Sequence, residues 1–243
     1  MSNEVNNGHN VVSIMGMIDD IRFPVVGQLE AYWEELRRDR VVPPRSEVDP
    51  RRIENCLEYA FILERIAPGL ARFRLAGTHL NDLIGMEVRG MPLTSLFTPD
   101  ARKDVTEVLE DVFSNPATAL LDLSAERGFG KPAIDGKLLL LPMKSDFGDV
   151  TRALGCLVTQ GQIGRTPRRF EIGQKRVTQL SDTGVMTTHV VKTETPRPVA
   201  SGFAEEPGNF VAATPRPQQP SEPERPERPK GGRPHLYVVK SDD

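Results

Sequence analysis

The sequence predicts an α+β fold: a five-stranded antiparallel sheet in the order 2-1-5-4-3, helices in the crossover between strands two and three, and one amphipathic helix in front. Three observations carry this expectation. Two short strand-like runs, three helical segments and three longer strand-like runs follow one another between residues 57 and 161. The first, fourth and fifth runs are apolar on both faces, as strands covered on each side are, whereas the second and third alternate in the manner of edge strands. Hairpin connections place two beside one, three beside four and four beside five, and only joining one to five then closes the sheet.

The leading helix is predicted over residues 27–40. Leu29, Tyr32, Trp33 and Leu36 recur at i, i+3, i+4 and i+7, while Glu30, Glu34, Glu35, Arg37 and Arg38 occupy the other faces. Such a stripe is expected to cover the sheet face opposite the crossover helices, alone or across a dimer. Pro43-Pro44 ends the helix, and Asp49-Pro50 offers an N-cap and a first-position proline for a short helix running through Cys56.

Residues 58–66 and 71–76, separated by Pro68-Gly69, form the first hairpin. Tyr59 to Leu63 is an unbroken apolar run, whereas Phe73 and Leu75 alternate with Arg72 and Arg74. After Gly77, Thr78 is expected to cap a short helix bearing Leu80, Leu83 and Ile84, and Gly85 suits the left-handed position that ends it. A turn at 93–97 precedes a helix with Thr98 as cap, Pro99 at its first position and Asp100 in its first turn. Ala101, Val105, Val108, Leu109, Val112 and Phe113 make the inner stripe, and Asn115-Pro116 stops it. Residues 118–126 alternate as an edge strand, and residues 134–144 and 152–160 are interior strands.

The remaining composition assigns one folded domain and a tail. Of 21 prolines, 10 fall between residues 195 and 236, so residues 1–20 are expected to be a flexible segment, 21–165 the domain, and 166–243 a basic linker with a Pro-rich disordered tail. Residues 235–240, His-Leu-Tyr-Val-Val-Lys, form a short β-prone peptide within that tail. Lys and Arg total 31 against 34 Asp and Glu, and the net charge of −3 gives no general field for gathering nucleic acid or anionic lipid. Residues 11–18 are the apolar run near the start; they are far short of the ~20 that a spanning helix requires and lack the flanks of a signal peptide. No transmembrane segment and a cytoplasmic location are therefore expected. Cys56 and Cys156 each sit in an apolar stretch and are expected to be buried free thiols.

Catalytic signatures are missing. The sequence holds no phosphate-binding Gly-rich loop, no nucleophile elbow and no His-Glu-x-x-His, and its four histidines, His9, His79, His189 and His235, are scattered. An enzyme is not expected, and neither is a metal site. Glu58 and Glu64 at the ends of the first strand are expected at the surface. Arg165, Arg168, Arg169, Lys175 and Arg176, with Phe170 among them, form a basic cluster that could touch nucleic acid but is more simply a solvated linker.

Arg72-Phe-Arg-Leu-Ala-Gly-Thr78, Leu80-Asn-Asp-Leu-Ile-Gly85 and Arg89-Gly90 resemble the crossover of the PAS superfamily. Tyr32-Trp-Glu-Glu-Leu-Arg37, Pro44-Arg45, Val48-Asp-Pro50 and Leu57-Glu-Tyr59 are similar to a stand-alone alphaproteobacterial PAS group once filed as a domain of unknown function. The resemblance covers residues 27–165 and implies a cytoplasmic signalling module, often dimeric, with no catalytic residue to transfer. Flavin photosensors of this fold carry an Asn-Cys-Arg motif in the crossover, and no cysteine lies between residues 57 and 155, so flavin is not expected. A haem-binding relative would need an axial histidine there, for which His79 is the candidate; it is expected instead to face solvent or bond to backbone.

The resulting expectation is a regulatory protein that relays a signal by contact with a signalling partner, since no kinase, cyclase or phosphodiesterase module follows in this sequence. It would act through constitutive docking or through a small ligand in a pocket lined by Phe61, Phe73, Leu75, Leu80, Leu83, Ile84, Leu96, Val112, Phe113, Leu139 and Leu157. The alternative reading is a DNA-associated regulator that uses the basic cluster at 165–176.

Overall fold

The computed structural model describes residues 22–181 and the backbone of residues 187–192, all within one compact unit spanning residues 1–197. Readings that concern residues 1–20, the Pro-rich tail and the 235–240 peptide lie outside the described residues. Helix α1 (Pro24–Arg37) precedes two 3₁₀ turns, Arg45–Glu47 and Pro50–Cys56; β1 (Ala60–Ala67) and β2 (Leu70–Ala76) form the first hairpin. The crossover contains α2 (Thr78–Ile84), the 3₁₀ turn Leu93–Leu96 and α3 (Arg102–Ser114). Then follow β3 (Ala117–Ala125), β4 (Asp135–Lys144), β5 (Val150–Gln160), β6 (Phe170–Gln179) and β7 (Thr187–Lys192).

The sheet is antiparallel in the order β2-β1-β5-β4-β3-β6-β7. Its first five positions are those predicted from burial patterning. Two expectations need correction. β3 is not an edge, because β6 pairs with it from Ala117 opposite Gln179 to Ala125 opposite Phe170. The segment read as linker and tail holds two strands, Phe170–Gln179 and Thr187–Lys192. The register against β3 slips at Asp122/Leu123, leaving Gly173 as an extra residue, and such a bulge shifts the two-residue period in mid-strand. Phe170 and Ile172 before the bulge and Val177 after it all reach the core, a pattern no single alternation describes.

Helix starts also differ from the local signals. Gly77 is the N-cap of α2, with no bond from Thr78, and α3 begins at Arg102 after a turn in which the Ala101 N–H donates to Thr98 O. The Thr98 hydroxyl is buried without a hydrogen-bond partner, so it caps nothing. Asp49 does cap its turn, accepting from the Arg51 N–H at 3.0 Å, and Gly85 ends α2 at φ 82°.

Each sheet face has its own cover. On the inner face α2, the Leu93–Leu96 turn and α3 bury one cluster against β1 to β6. On the outer face Leu29, Tyr32, Trp33 and Leu36 of α1 meet Leu139, Leu141 and Met143 of β4 and Leu154, Cys156 and Val158 of β5. Trp33 is fully buried, and its Nε1–H donates to Pro142 O at 3.0 Å, which satisfies the indole and fixes α1 along β4. Tyr32 ties α1 to the following loop by accepting from the Asp49 N–H at 2.7 Å. Both thiols belong to this cluster, and burial pushes the Cys156 pKa far up, so it behaves as an apolar side chain.

Two outcomes follow from α1. Leu36→Ala removes a buried side chain and is expected to cost about 2 to 5 kcal/mol in chemical denaturation, whereas a loss under ~0.5 kcal/mol would show that α1 does not hold the outer face. Arg38 closes the helix at φ 52° and ψ −123°, a region that residues with a Cβ rarely enter. Arg38→Gly should therefore raise stability by roughly 0.5 to 2 kcal/mol, because the strain relieved exceeds the added chain flexibility of glycine. A lower melting temperature for this variant would contradict the strain.

Candidate functional site

Nine of the eleven residues predicted to line a pocket come together on the inner face. Phe61, Phe73, Leu80, Leu83, Ile84, Leu96, Val112, Phe113 and Leu157 belong to one buried cluster, none more than 7% exposed. The i, i+3, i+4 spacing of α2 points Leu80, Leu83 and Ile84 at the sheet. Phe61 and Phe73 meet edge to face, with ring centroids 5.3 Å apart. Gly155 on β5 makes room for them: a Cβ there would lie 2.5 Å from Phe61 Cζ and from Leu139 O, so the Phe61 ring lies directly on the sheet floor.

Leu75 and Leu139 do not join this cluster. Leu139 faces outward against α1, because strict alternation along β4 sends Leu138 and Leu140 inward and Leu139 and Leu141 outward. Leu75 is 52% exposed. Its register explains this: Ile62 pairs with Leu75 but Leu63 pairs with Phe73, so Arg74 is an extra residue in a bulge that turns Leu75 to the outer face.

His79 also departs from expectation. It is 9% exposed and faces neither solvent nor backbone; its Nε2 lies 2.9 Å from Thr159 Oγ1 on β5, and its ring packs against Tyr59 at 4.9 Å. Removal from water pushes its pKa down, partly offset by Glu58 and Asp82. The contact therefore ties the start of α2 to the end of β5 through a neutral imidazole.

A feature that the sequence reading missed lies on the outer face of β1 and β2. Glu64 was expected at the surface, yet its side chain is only 16% exposed and meets Arg72 at 2.9 Å, Arg152 at 2.9 Å and Arg74 at 3.3 Å. Burial works to raise its pKa, but the Arg72 hydrogen bond and the three guanidinium charges outweigh this and hold the carboxyl below its usual range. Arg72, Glu64 and Arg152 stand opposite one another across three strands. The neighbouring outward row is Leu75, Ile62 and Leu154. With the Pro50–Cys56 turn, that row walls a groove of about 180 Å³ lined chiefly by apolar side chains, including Val48, Pro50, Ile53 and Leu57. A carboxylate ending an apolar run opposite two arginines was the sequence signal for this row.

The basic cluster is dispersed. Arg168 is fully buried, its guanidinium donating to Ile163 O at 2.5 Å, Pro132 O at 2.7 Å and Glu126 O at 3.0 Å while its own N–H donates to Leu83 O. It pins the segment before β6 to the β3–β4 loop and to α2. Lys175 pairs with Asp104 at 2.8 Å and Glu107 at 3.6 Å on α3. Arg165 and Arg176 are exposed, and Arg169 is half-buried. Among the described residues no group of three or more His, Cys, Asp or Glu side chains is placed to hold a metal ion, and no helix is long and apolar enough to cross a membrane.

The His79 contact makes stability sensitive to pH. Its folded pKa lies below the ordinary ~6.5, so the unfolded chain binds more protons just below that value and stability falls as pH drops through it. Glu64, held below the usual carboxylate range, loses its contribution only in a more acidic window, below about pH 4.3. The melting temperature should therefore decline from pH 7 to roughly pH 5.5 in the native protein and much less in His79→Gln. Equal declines in both would place the effect elsewhere.

Among solved structures the chain is similar to the light state of the blue-light photoreceptor Aureochrome1 LOV, with 13% identity and a TM-score of 0.33, covering 46% of this chain and 88% of that one. It is also similar to a light-oxygen-voltage domain examined with a flavin analogue, with 16% identity and a TM-score of 0.33, covering 46% and 84%. An RNA-binding light-oxygen-voltage receptor matches with 17% identity and a TM-score of 0.34 over 48% of this chain and 35% of that receptor. No curated protein matches. A family model described as PAS domain matches residues 22–158, more than half of the sequence, and the chain belongs to the PAS domain family, whose role is sensory and regulatory.

Proposed function

We propose that this PAS protein regulates by docking to another polypeptide, with its inner face acting as a filled core and not as a cofactor chamber. The observation that carries this reading is the contrast between the inner cluster and the apolar side chains left in water. Phe129 and Phe147, at the tips of the β3–β4 and β4–β5 connections, are 96% and 94% exposed, and Leu57, Ile66, Leu75 and Met86 are also exposed.

Flavin and haem find less support in the residues present than a filled core does. Phe61 lies against Gly155 on β5 and meets Phe73 edge to face, which supports a filled inner face. His79 Nε2, the atom that would ligate iron, is engaged with Thr159. The DNA-associated reading has weaker support, since burial of Arg168 and the pairing of Lys175 leave three scattered arginines and no basic stripe.

Native mass spectrometry of the chain purified from its own host tests the proposal. The expected species contains a second polypeptide and carries no small organic ligand. A chain that appears only as a flavin, haem or metabolite adduct would replace docking with ligand sensing.

A further inference from the structure

We propose that the open half of the outer sheet face binds an acidic amphipathic helix from another polypeptide. Its apolar side chain would sit in the groove between β1–β2 and the Pro50–Cys56 turn, and its carboxylates on Arg72 and Arg74. The inference rests on the docking reading above and names the surface and the partner chemistry. α1 covers β4 and β5, while Leu57 and Leu75 at the groove remain 42% and 52% exposed. The adjacent row holds three guanidiniums against the single carboxylate of Glu64, an excess of two positive charges. Arg72 and Arg74 are the accessible members, at 41% and 54% exposure, whereas Arg152 is largely covered.

The spacing selects the form of the partner. Rows Leu75–Ile62–Leu154 and Arg72–Glu64–Arg152 are two residues apart along β1, or about 6.6 Å, close to the ~5.4 Å of one helical turn. A helix with a Leu-type anchor and Glu or Asp one turn away therefore meets both rows at once. Strand addition to β2 is obstructed, because the Phe73 N–H donates to Met91 O at 2.9 Å and the Gly90 N–H donates to Phe73 O at 2.8 Å, closing the edge at mid-strand. A nucleic-acid backbone would satisfy the arginines but leave the groove empty.

The test uses the full chain and a fluorescent model helix of about sixteen residues, with Leu on one face and Glu one turn from each Leu, beside a copy with Lys at every Glu. The Glu peptide should bind saturably, at least about ten-fold tighter than the Lys peptide, and more weakly as salt rises. Arg74→Ala and Leu75→Ser alter exposed side chains, and each should weaken binding about ten-fold at an unchanged melting temperature. No saturable binding, equal binding of both peptides, or indifference to both substitutions overturns the proposal. So does sedimentation that shows a native dimer split to monomers by Leu75→Ser, since a second copy would then occupy the groove. If these arms fail while the chain from its host still carries a protein partner, docking stands and only this surface is wrong; if no partner is found either, the docking reading itself fails.

Discussion

Burial on both faces of β4 and β5 is the constraint from which the rest of the molecule follows. Leu138 to Leu141 send alternate side chains to opposite sides of the sheet, and Ala153 to Val158 do the same, so neither face can be left to water. The crossover between β2 and β3 supplies one cover and α1 the other. Without α1, the sheet would expose Leu139, Leu141, Met143 and Leu154 together, a patch of the size that causes association. The Trp33 to Pro142 hydrogen bond adds orientation to this burial: it satisfies the one polar atom of the helix's largest buried side chain and so selects a single seat for α1.

Charge has a different role on each side. On the inner face, Arg65 meets Glu110 at 3.0 Å and Lys175 meets Asp104, holding the two ends of α3 to opposite flanks of the sheet. Arg168, with three carbonyl acceptors, stitches the extra strand β6 to the crossover. On the outer face, charges gather where α1 stops covering the sheet. The Glu64 cluster there is a strongly paired carboxylate beneath guanidiniums that still reach water, so no buried charge is left alone.

The legible part of the fold was written in uninterrupted periods. The heptad-like stripe of α1, the stripe of α3 and the two-sided strands β4 and β5 keep one phase from end to end, and burial patterning together with hairpin connections ordered the first five strands. Two failures of strand reading occur at bulges. An extra Arg74 turns Leu75 out of the core, and an extra Gly173 breaks the phase of β6, so a strand was taken for a linker and β3 for an edge. His79 was misplaced for another reason: its partners, Thr159 and Tyr59, are far from it in sequence, and only the β1–β5 pairing brings them together. Leu139 was assigned to the wrong face because four consecutive leucines give no signal for which alternate points where. The Glu64 row combined residues from three strands and became visible as a unit only through their register.

Hydrogen exchange of the full chain, followed residue by residue, tests the two-cover account most directly. If α1 is an integral layer, the amides of Leu29 to Leu36 should exchange only with global unfolding, as slowly as those of β4 and β5. Exchange of α1 orders of magnitude faster than the central strands, with those strands still fully protected, would contradict it and show that the outer face is stable without its helix.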